Sequence, residues 1–394
     1  MKERTYLIDR LAAPLNRFIQ QERSGGIVLG VCVVVAMLLA NSPWAHDYFG
    51  FFEHKLGFRF DGRPYLEFDL HHWINDGLMA VFFFVVGLEL KRELMPGGSL
   101  SSPRKALLPI IAAIGGMLVP ACIYIMLNAD GPGLRGWGIP MATDIAFALG
   151  VLYLLGNRVP ASLKVFLTAL AIVDDLGAVL VIAFFYTSDI SLGLLLLGFC
   201  FIGLMYAGNH ILGIRNLLFY AVLGIAGVWT AFLLSGVHAT IAAVLAAFTI
   251  PSDVRINGNT LEHAMQPFTA FVVIPVFALA NAGVSLAGVS LSTMFSPVTL
   301  GVGLGLFAGK LIGVVGSSLL AVSLGLAVFP QGMNLRNLFG LGFLAAIGFT
   351  MSIFITSLAF GDSPQGVEAK LGIFTASLSG GLIGYFLLRK RPVK

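Results

Sequence analysis

Asp174 and Asp175 are adjacent carboxylates near the middle of a long apolar segment, residues 160–186. A segment of this length predicts a membrane-spanning helix. A charge at the bilayer centre costs roughly 2.5–3.5 kcal/mol on insertion scales, so packing does not explain two charges side by side. We therefore expect the pair to face a water-filled cavity, a counter-charge or a bound cation.

The chemistry open to this pair follows from its oxygens. Small hard cations such as sodium take oxygen ligands. Protons compete for the same atoms, because burial and a neighbouring like charge favour the neutral carboxyl group. Such competition, combined with alternating access from the two sides of a membrane, predicts antiport. Consecutive residues on a helix point about 100° apart, so only one of the two can be the central ligand.

Other ionisable residues fall inside apolar segments, where a functional role is the default interpretation. They are Asp76, Glu89, Asp144, His238 and Lys310. Lys310 is the only basic residue deep in a segment, and its natural partner is an acidic residue at mid-depth.

The composition of two apolar segments predicts discontinuous helices. A pair of such interrupted helices is the best sequence indication of the binding site of a transporter. The fourth segment combines Pro140, Thr143 and Asp144, and the eleventh combines several glycines with residues 345–352. Two crossing broken helices would bring like ends together, and each end carries about half a charge. Asp144 would neutralise the facing N-terminal ends, and Lys310 the facing C-terminal ends.

The composition indicates the elements that hold these residues. The chain of 394 residues is 57% hydrophobic and 11% charged, against about 25% charged in soluble domains. It therefore predicts a single-domain, all-α polytopic membrane protein over residues 1–394, and the net charge of +4 is no nucleic-acid signal. Twelve apolar segments are predicted to span: 25–42, 71–90, 105–128, 139–156, 160–186, 191–207, 216–234, 236–250, 267–288, 298–326, 335–360 and 367–388. Spans 3–5 and 10–12 would be inverted-topology repeats, with spans 4 and 11 discontinuous and crossing.

Basic residues predict the orientation. With the N-terminus inside, 18 of the 24 Lys and Arg residues are cytoplasmic, as expected for a bacterial inner-membrane protein with both termini in the cytoplasm. Residues 1–24 predict a cytoplasmic interfacial segment, and residues 389–394 a basic cytoplasmic tail. The periplasmic loop 43–70 alternates around Asp61-Gly62, which predicts a β-hairpin. Because two isolated strands are marginally stable, the hairpin is expected to pair with a second copy; the alternative is an irregular loop.

Six stretches of the chain resemble the NhaA family of sodium/proton antiporters. They are WINDGLMAVFF (73–83), GLELKREL (87–94), ATDIAFALG (142–150), AIVDDLGA (171–178), SGVHAT (235–240) and IGFTMSIFI (347–355). The resemblance implies electrogenic exchange of Na+ or Li+ for protons, activation at alkaline pH, no cofactor, and a homodimer joined through the hairpin.

The resemblance also implies residue roles. Asp175 is the principal cation ligand and Asp174 its partner, which pairs with Lys310 at low pH, while Thr143 and Asp144 line the crossing. The pH response is assigned to a set of cytoplasmic-funnel residues: Glu89, Arg92, Glu93, Glu262, His263 and His238. Two positions depart from the family pattern: Leu311 replaces a proline, and Gln266 replaces a second histidine.

Several alternatives stay open. Lys310 is either a structural counter-charge or a proton carrier, and the Thr143 hydroxyl bonds either its own backbone or the ion. Asp76 either lines the exit path or points to the outer interface. His238 is either a buried structural histidine or a pH sensor. The other charged residues assigned to the pH response are either sensors or ordinary charges at the cytoplasmic ends of helices.

Two other functions compete with antiport. A sodium-coupled symporter of an organic solute would need a larger amphipathic cavity. An intramembrane aspartyl protease would need two aspartates on different helices.

Overall fold

The computed structural model describes residues 22–60, 63–187, 190–256, 259–287 and 289–389. Most of the predicted interfacial segment 1–24 and of the basic tail 389–394 lies outside these residues. The described part is a bundle of apolar helices with two small antiparallel sheets.

The helices are numbered in chain order. They are α1 (Glu22–Ala40), α2 (Ala45–Phe52), α3 (Leu70–Leu94), α4 (Pro103–Asn128), α5 (Ile145–Leu154), α6 (Ala161–Phe185), α7 (Leu192–His210), α8 (Leu217–Ser235), α9 (Ala239–Thr249), α10 (Leu261–Asn281), α11 (Leu291–Met294), α12 (Pro297–Ser323), α13 (Leu335–Ala345), α14 (Phe349–Phe360) and α15 (Pro364–Arg389). A 3₁₀ helix, Pro132–Met141, precedes α5, and a three-residue one, Gly156–Arg158, follows it. Four long helices contain a π-helical turn: Trp73–Leu78 in α3, Leu223–Trp229 in α8, Thr269–Val273 in α10 and Gly305–Gly309 in α12.

The lengths of the helices show how many of the predicted membrane spans the structure supports. Among the described residues, nine helices are long and apolar enough to cross a membrane, or eleven if each of two bent pairs is one span. The bent pairs are α1 with α2, and the 3₁₀ helix Pro132–Met141 with α5. The remaining predicted span is α9, whose 11 residues extend about 16 Å, against a hydrocarbon thickness of about 30 Å. The helical membrane architecture is confirmed, and the number twelve stays a prediction.

The predicted hairpin is present as β1 (Lys55–Phe60) and β2 (Arg63–Asp69), which pair antiparallel with a bulge between Leu56 and Phe58. Its turn residues, Asp61 and Gly62, lie outside the described residues. We call the end of the bundle that carries this sheet the hairpin side. A second small sheet joins β3 (Arg255–Ile256) to β4 (Asn259–Thr260), just before α10.

A row of glycines brings α12 close to its neighbours. Gly305, Gly309 and Gly313 recur every fourth residue and so share one face of the helix. A Cβ atom on Gly309 would lie 2.8 Å from the Cα atom of Pro120 in α4, and one on Gly305 would lie 2.8 Å from Cβ of Pro140. Small residues of this kind allow membrane helices to approach closely, and Lys310 is held directly beside this contact.

Candidate functional site

The two interrupted spans meet at their breaks. One break is residues 142–144, between the 3₁₀ helix and α5, and the other is residues 346–348, between α13 and α14. The backbone N–H of Asp144 donates to the carbonyl oxygen of Ile347 at 2.6 Å. Both breaks therefore lie where the sequence predicts them, and they are in direct contact.

Asp144 joins the N-terminal ends of two half-helices. Its Oδ1 atom accepts the backbone N–H of Phe147 in the first turn of α5 at 2.9 Å. Its Oδ2 atom accepts the backbone N–H of Thr350 at 2.9 Å and the Thr350 hydroxyl at 2.5 Å, at the start of α14. The first N–H groups of a helix have no partner inside it and carry partial positive charge. A single carboxylate, 1% exposed, thus meets both positive ends, as the sequence predicts.

Hydroxyl groups meet the carbonyl ends of the other two half-helices. The Ser352 hydroxyl donates to the carbonyl oxygen of Ile139 at 2.8 Å, and the Thr143 hydroxyl donates to that of Ala345 at 2.9 Å. The Thr143 hydroxyl therefore bonds the backbone of the opposite broken helix, which is neither of the alternatives considered from the sequence. Each broken helix supplies the donor for the other.

Lys310 forms an ion pair with Asp174. Its Nζ atom lies 2.5 Å from Asp174 Oδ2, and both side chains are 0% exposed. An acidic partner at mid-depth is what the sequence predicts for this lysine. The ammonium group donates to Asp174, while the carbonyl ends of the broken helices accept from the hydroxyls of Thr143 and Ser352. Neutralisation of those ends by the charge of Lys310 stays a prediction.

Asp175 differs from its neighbour because its carboxylate has no hydrogen-bond partner in the part of the chain that the structure describes. Within the described residues, both of its carboxylate oxygens and Oδ1 of Asp174 are buried without a hydrogen bond, and Asp175 is 1% exposed. Asp174 and Asp144 add negative potential at Asp175, and Lys310 opposes it. An uncompensated buried carboxylate is costly, so the arrangement can take up a cation or a proton.

The donors available to a cation are oxygens. In the described ranges, no three His, Cys, Asp or Glu side chains are grouped so that they could hold a metal ion. A cation at Asp175 would therefore complete its ligands with hydroxyl or carbonyl oxygens. The Thr143 hydroxyl, which the sequence proposes as such a ligand, is buried, and its oxygen could accept a cation while its proton is donated.

A second group of charges lies at the end of α3 away from the hairpin side. The Arg92 guanidinium is 2.7 Å from Glu262 Oε1 at the start of α10, 2.9 Å from Glu93 Oε1 and 3.8 Å from Glu89 Oε1. The structure brings these four predicted residues together, and we call them the Arg92 cluster. Glu262 is only 5% exposed, which makes its bond to Arg92 the most sheltered of the three.

His263 adjoins this cluster through Gln266. The Gln266 amide nitrogen donates to Glu262 Oε1 at 3.3 Å, and its oxygen lies 3.2 Å from Nδ1 of His263. The residue that replaces the expected second histidine thus links His263 to the Arg92 cluster.

His238 is not part of the Arg92 cluster, which corrects its predicted grouping. It precedes α9, where its Nε2 atom is 2.9 Å from the carbonyl oxygen of Tyr186 and its Nδ1 atom is 3.9 Å from Asp76 Oδ1. Asp76 and Arg92 are about 24 Å apart along α3, so His238 belongs to the hairpin side. Asp76 also lies 3.5 Å from Nε2 of His72, so its carboxylate sits between two histidines.

Three residues in these contacts received no role from the sequence. Thr350 and Ser352 belong to the motif of the eleventh predicted span. Their hydroxyl groups, just after the break, could have indicated a role at the crossing. Nothing in the sequence indicated a role for Tyr186, whose backbone carbonyl oxygen accepts a hydrogen bond from Nε2 of His238. Its hydroxyl donates to the carbonyl oxygen of Arg135 at 2.8 Å.

Comparison with known proteins identifies relatives over nearly the whole chain. The family described as Na+/H+ antiporter 1 matches residues 16–388. The Na(+)/H(+) antiporter NhaA of Shewanella pealeana is 49% identical over 383 residues, which cover 95% of this chain and 97% of that protein. Proteins of the same name from Vibrio cholerae serotype O1 (49% over 388 residues; 95% and 97% covered) and Oleidesulfovibrio alaskensis (46% over 430 residues; 97% and 95% covered) are similarly related.

Proposed function

Because the chain belongs to the Na+/H+ antiporter 1 family and is a sodium/proton antiporter, we propose that it exchanges cytoplasmic Na+ or Li+ for external H+ at Asp174 and Asp175. The family assignment confirms the resemblance carried by the six motifs. It also makes the protein a multi-pass membrane transporter and not an enzyme, which removes the protease alternative. Na+, Li+ and H+ are substrates, and we propose no cofactor.

The observation that supports this site is the buried carboxylate of Asp175, which has no hydrogen bond to any described residue. In the proposed cycle a Na+ ion or a proton neutralises it. Each ion excludes the other because both use the same oxygens. Asp174 alternates between Lys310 and the ion pathway, so that arrival of a cation releases the lysine. Lys310 then acts either as a fixed counter-charge or as a proton carrier. More protons than Na+ ions move per cycle, which makes the exchange electrogenic.

The crossing of broken helices supplies a unit for alternating access. Asp144 bonds α5 to α14, so the two interrupted spans would move together. We propose that α4 to α6 and α12 to α15 are inverted repeats around this crossing. This family is itself a known example of that arrangement. Thr143 and Asp144 would line the ion path, and Asp76 would line the exit on the hairpin side.

The proposed setting is the bacterial inner membrane, with twelve crossings, both termini cytoplasmic and one domain over residues 1–394. The hairpin of loop 43–70 would be periplasmic and would join two copies, since a two-stranded sheet gains stability from further pairing. The Arg92 cluster with His263 would activate exchange at alkaline pH. It holds three carboxylates around one guanidinium, and such a group loses protons as the pH rises.

A sodium-coupled symporter of an organic solute is less well supported. Such a solute needs free hydrogen-bonding groups at its site. The hydroxyls of Thr143, Thr350 and Ser352 at the crossing already donate within the protein.

Proton movement in everted membrane vesicles tests the proposal. Vesicles that hold an acidic interior should lose the proton gradient when Na+ or Li+ is added, and the loss should become faster as the pH is raised. Choline chloride is the matched control and should have no effect. An imposed membrane voltage should change the rate, because the exchange is electrogenic. A Na+ response that is unaffected by voltage would contradict the proposed excess of protons.

A further inference from the structure

An apolar cavity of about 470 Å³ lies between α3, α8, α9 and α10, away from the aspartates. We call it the slot. One wall is a single face of α8, which includes Leu217, Tyr220, Gly224 and Trp229, spaced three to five residues apart. The opposite wall belongs to α3, where Trp73 stacks on Trp229 with ring centres 6.1 Å apart.

The hydrogen-bond donors in the slot walls already have acceptors within the protein. Each hydroxyl or indole N–H among them donates to a backbone carbonyl oxygen: Tyr220 to Ile214 at 2.9 Å, Trp229 to Asp76 at 3.1 Å, and Trp73 to Leu56 at 2.9 Å. The remaining wall residues are aliphatic, aromatic, glycine or methionine. Among the described residues, the slot therefore offers a ligand no free hydroxyl or N–H donor, and a hydrocarbon is the occupant that suits it.

The length and opening of the slot indicate the source of that hydrocarbon. Leu217 and Trp229 are twelve positions apart, which corresponds to about 18 Å along the helix. One leaflet accounts for about 15 Å of the hydrocarbon thickness, so an extended lipid chain matches the slot in length. Ile225 lines the slot and is also 65% exposed on the lateral surface of the bundle. The slot thus opens sideways, towards the bilayer.

We propose that the slot binds one acyl chain of a bilayer phospholipid. The chain would fill the space between α3 and α8 and reach Leu261 and Met265 of α10. Glu262, between these two residues, bonds Arg92 of α3. The bound chain would therefore brace the helices that carry the Arg92 cluster.

Brominated phospholipids test binding in the wild-type slot, because bromine quenches tryptophan fluorescence only at close range. A Trp44→Phe/Trp137→Phe background leaves Trp73 and Trp229, the two slot tryptophans, as the only indoles. After removal of bulk lipid, native mass spectrometry should find one phospholipid retained per chain. Bromine on the acyl chain should quench strongly, and bromine on the headgroup should not. Retention of a free fatty acid alone, or equal quenching by both lipids, would overturn the proposal.

Two glycine substitutions test whether the phospholipid binds in the slot. Gly224→Phe adds a ring inside the slot, where a Cβ atom would be 3.8 Å from the Met205 methyl group and so meets no clash. Gly203→Phe is the matched control on α7, where a Cβ atom would have no described neighbour within 4 Å. The first variant should reduce retained phospholipid and acyl-bromine quenching at least five-fold, and the control should reduce neither. Equal retention in folded Gly224→Phe would show that the lipid binds elsewhere. Neither measurement uses transport, so a negative result leaves the proposed ion site unaffected.

Discussion

The Lys310 ammonium donates a hydrogen bond of 2.5 Å to Asp174, and neither side chain has exposed surface. The neighbouring Asp175 carboxylate is equally buried but has no hydrogen bond within the described residues. Two successive residues of α6 therefore have opposite electrostatic situations. Asp174 is compensated by the protein, and Asp175 is the carboxylate that we propose binds the transported ion. This inequality leads to different expectations for the two aspartates.

Removal of the lysine should destabilise the fold. Lys310→Met leaves Asp174 as an unpaired buried charge, and breaking such a pair costs about 3–5 kcal/mol. The double variant Asp174→Asn/Lys310→Met removes both charges and should recover most of that loss. Denaturant titration in detergent micelles measures both free energies of unfolding. If the double variant were no more stable than Lys310→Met, the pair would not be the source of the loss.

A second experiment on the same lysine distinguishes its two proposed roles, proton carrier and fixed counter-charge. If Lys310 carries a transported proton, Lys310→Ala should leave exchange that generates no voltage in vesicles. Voltage-generating exchange retained by Lys310→Ala would instead assign it a structural role. Comparison at matched amounts of folded protein separates this effect from the loss of stability.

Asp175→Asn should abolish Na+-dependent collapse of the proton gradient. The substitution removes the charge for which Na+ and H+ are proposed to compete but breaks no hydrogen bond of the described structure. The free energy of unfolding should therefore stay within about 1 kcal/mol of wild type or rise. Asp253→Asn, at an acid whose side chain is 66% exposed, is the control and should retain exchange. Normal exchange by Asp175→Asn would show that the site assignment is wrong.

The sequence predicted the parts of this site that depend on local rules. The position of Asp144 at a helix break, and the need of facing helix ends for an anion, follow from pattern and electrostatics alone. The hydroxyls of Thr350 and Ser352 just after the break were visible in the sequence. Their partners could not be predicted, because the contacts join residues about two hundred positions apart through the geometry of the crossing. His238 was grouped by family role, and only the position of α9 places it beside Asp76. The slot depends on the packing of four helices, for which the sequence has no signal.

The hydroxyl of Thr350 should contribute measurably to the stability of the crossing. Thr350→Val keeps the side-chain shape but removes a hydrogen bond to a charged acceptor, which is worth about 1.5–3 kcal/mol. Asp144→Ala removes the acceptor for both half-helices and should cost more. Thr350→Ser keeps the hydroxyl and is the control. Unfolding temperatures in detergent should rank Thr350→Ser above Thr350→Val, and Thr350→Val above Asp144→Ala. A Thr350→Val protein as stable as wild type would contradict a role for this bond.

Neutralising Glu262 should move the pH profile of exchange towards lower pH. The Arg92 cluster holds three carboxylates around one guanidinium, and the proposed activation at alkaline pH would correspond to loss of protons from this group. Glu262→Gln removes one negative charge and leaves Arg92 free to stabilise the others, so less alkaline conditions should suffice for activation. The rate of Na+-driven proton movement against pH gives the midpoint, and the maximal rate should change little. Glu53→Gln is the same substitution at an exposed position on the hairpin side and should leave the midpoint in place. An equal shift in both variants would point to net charge as the cause, and no shift in Glu262→Gln would remove Glu262 from the pH response.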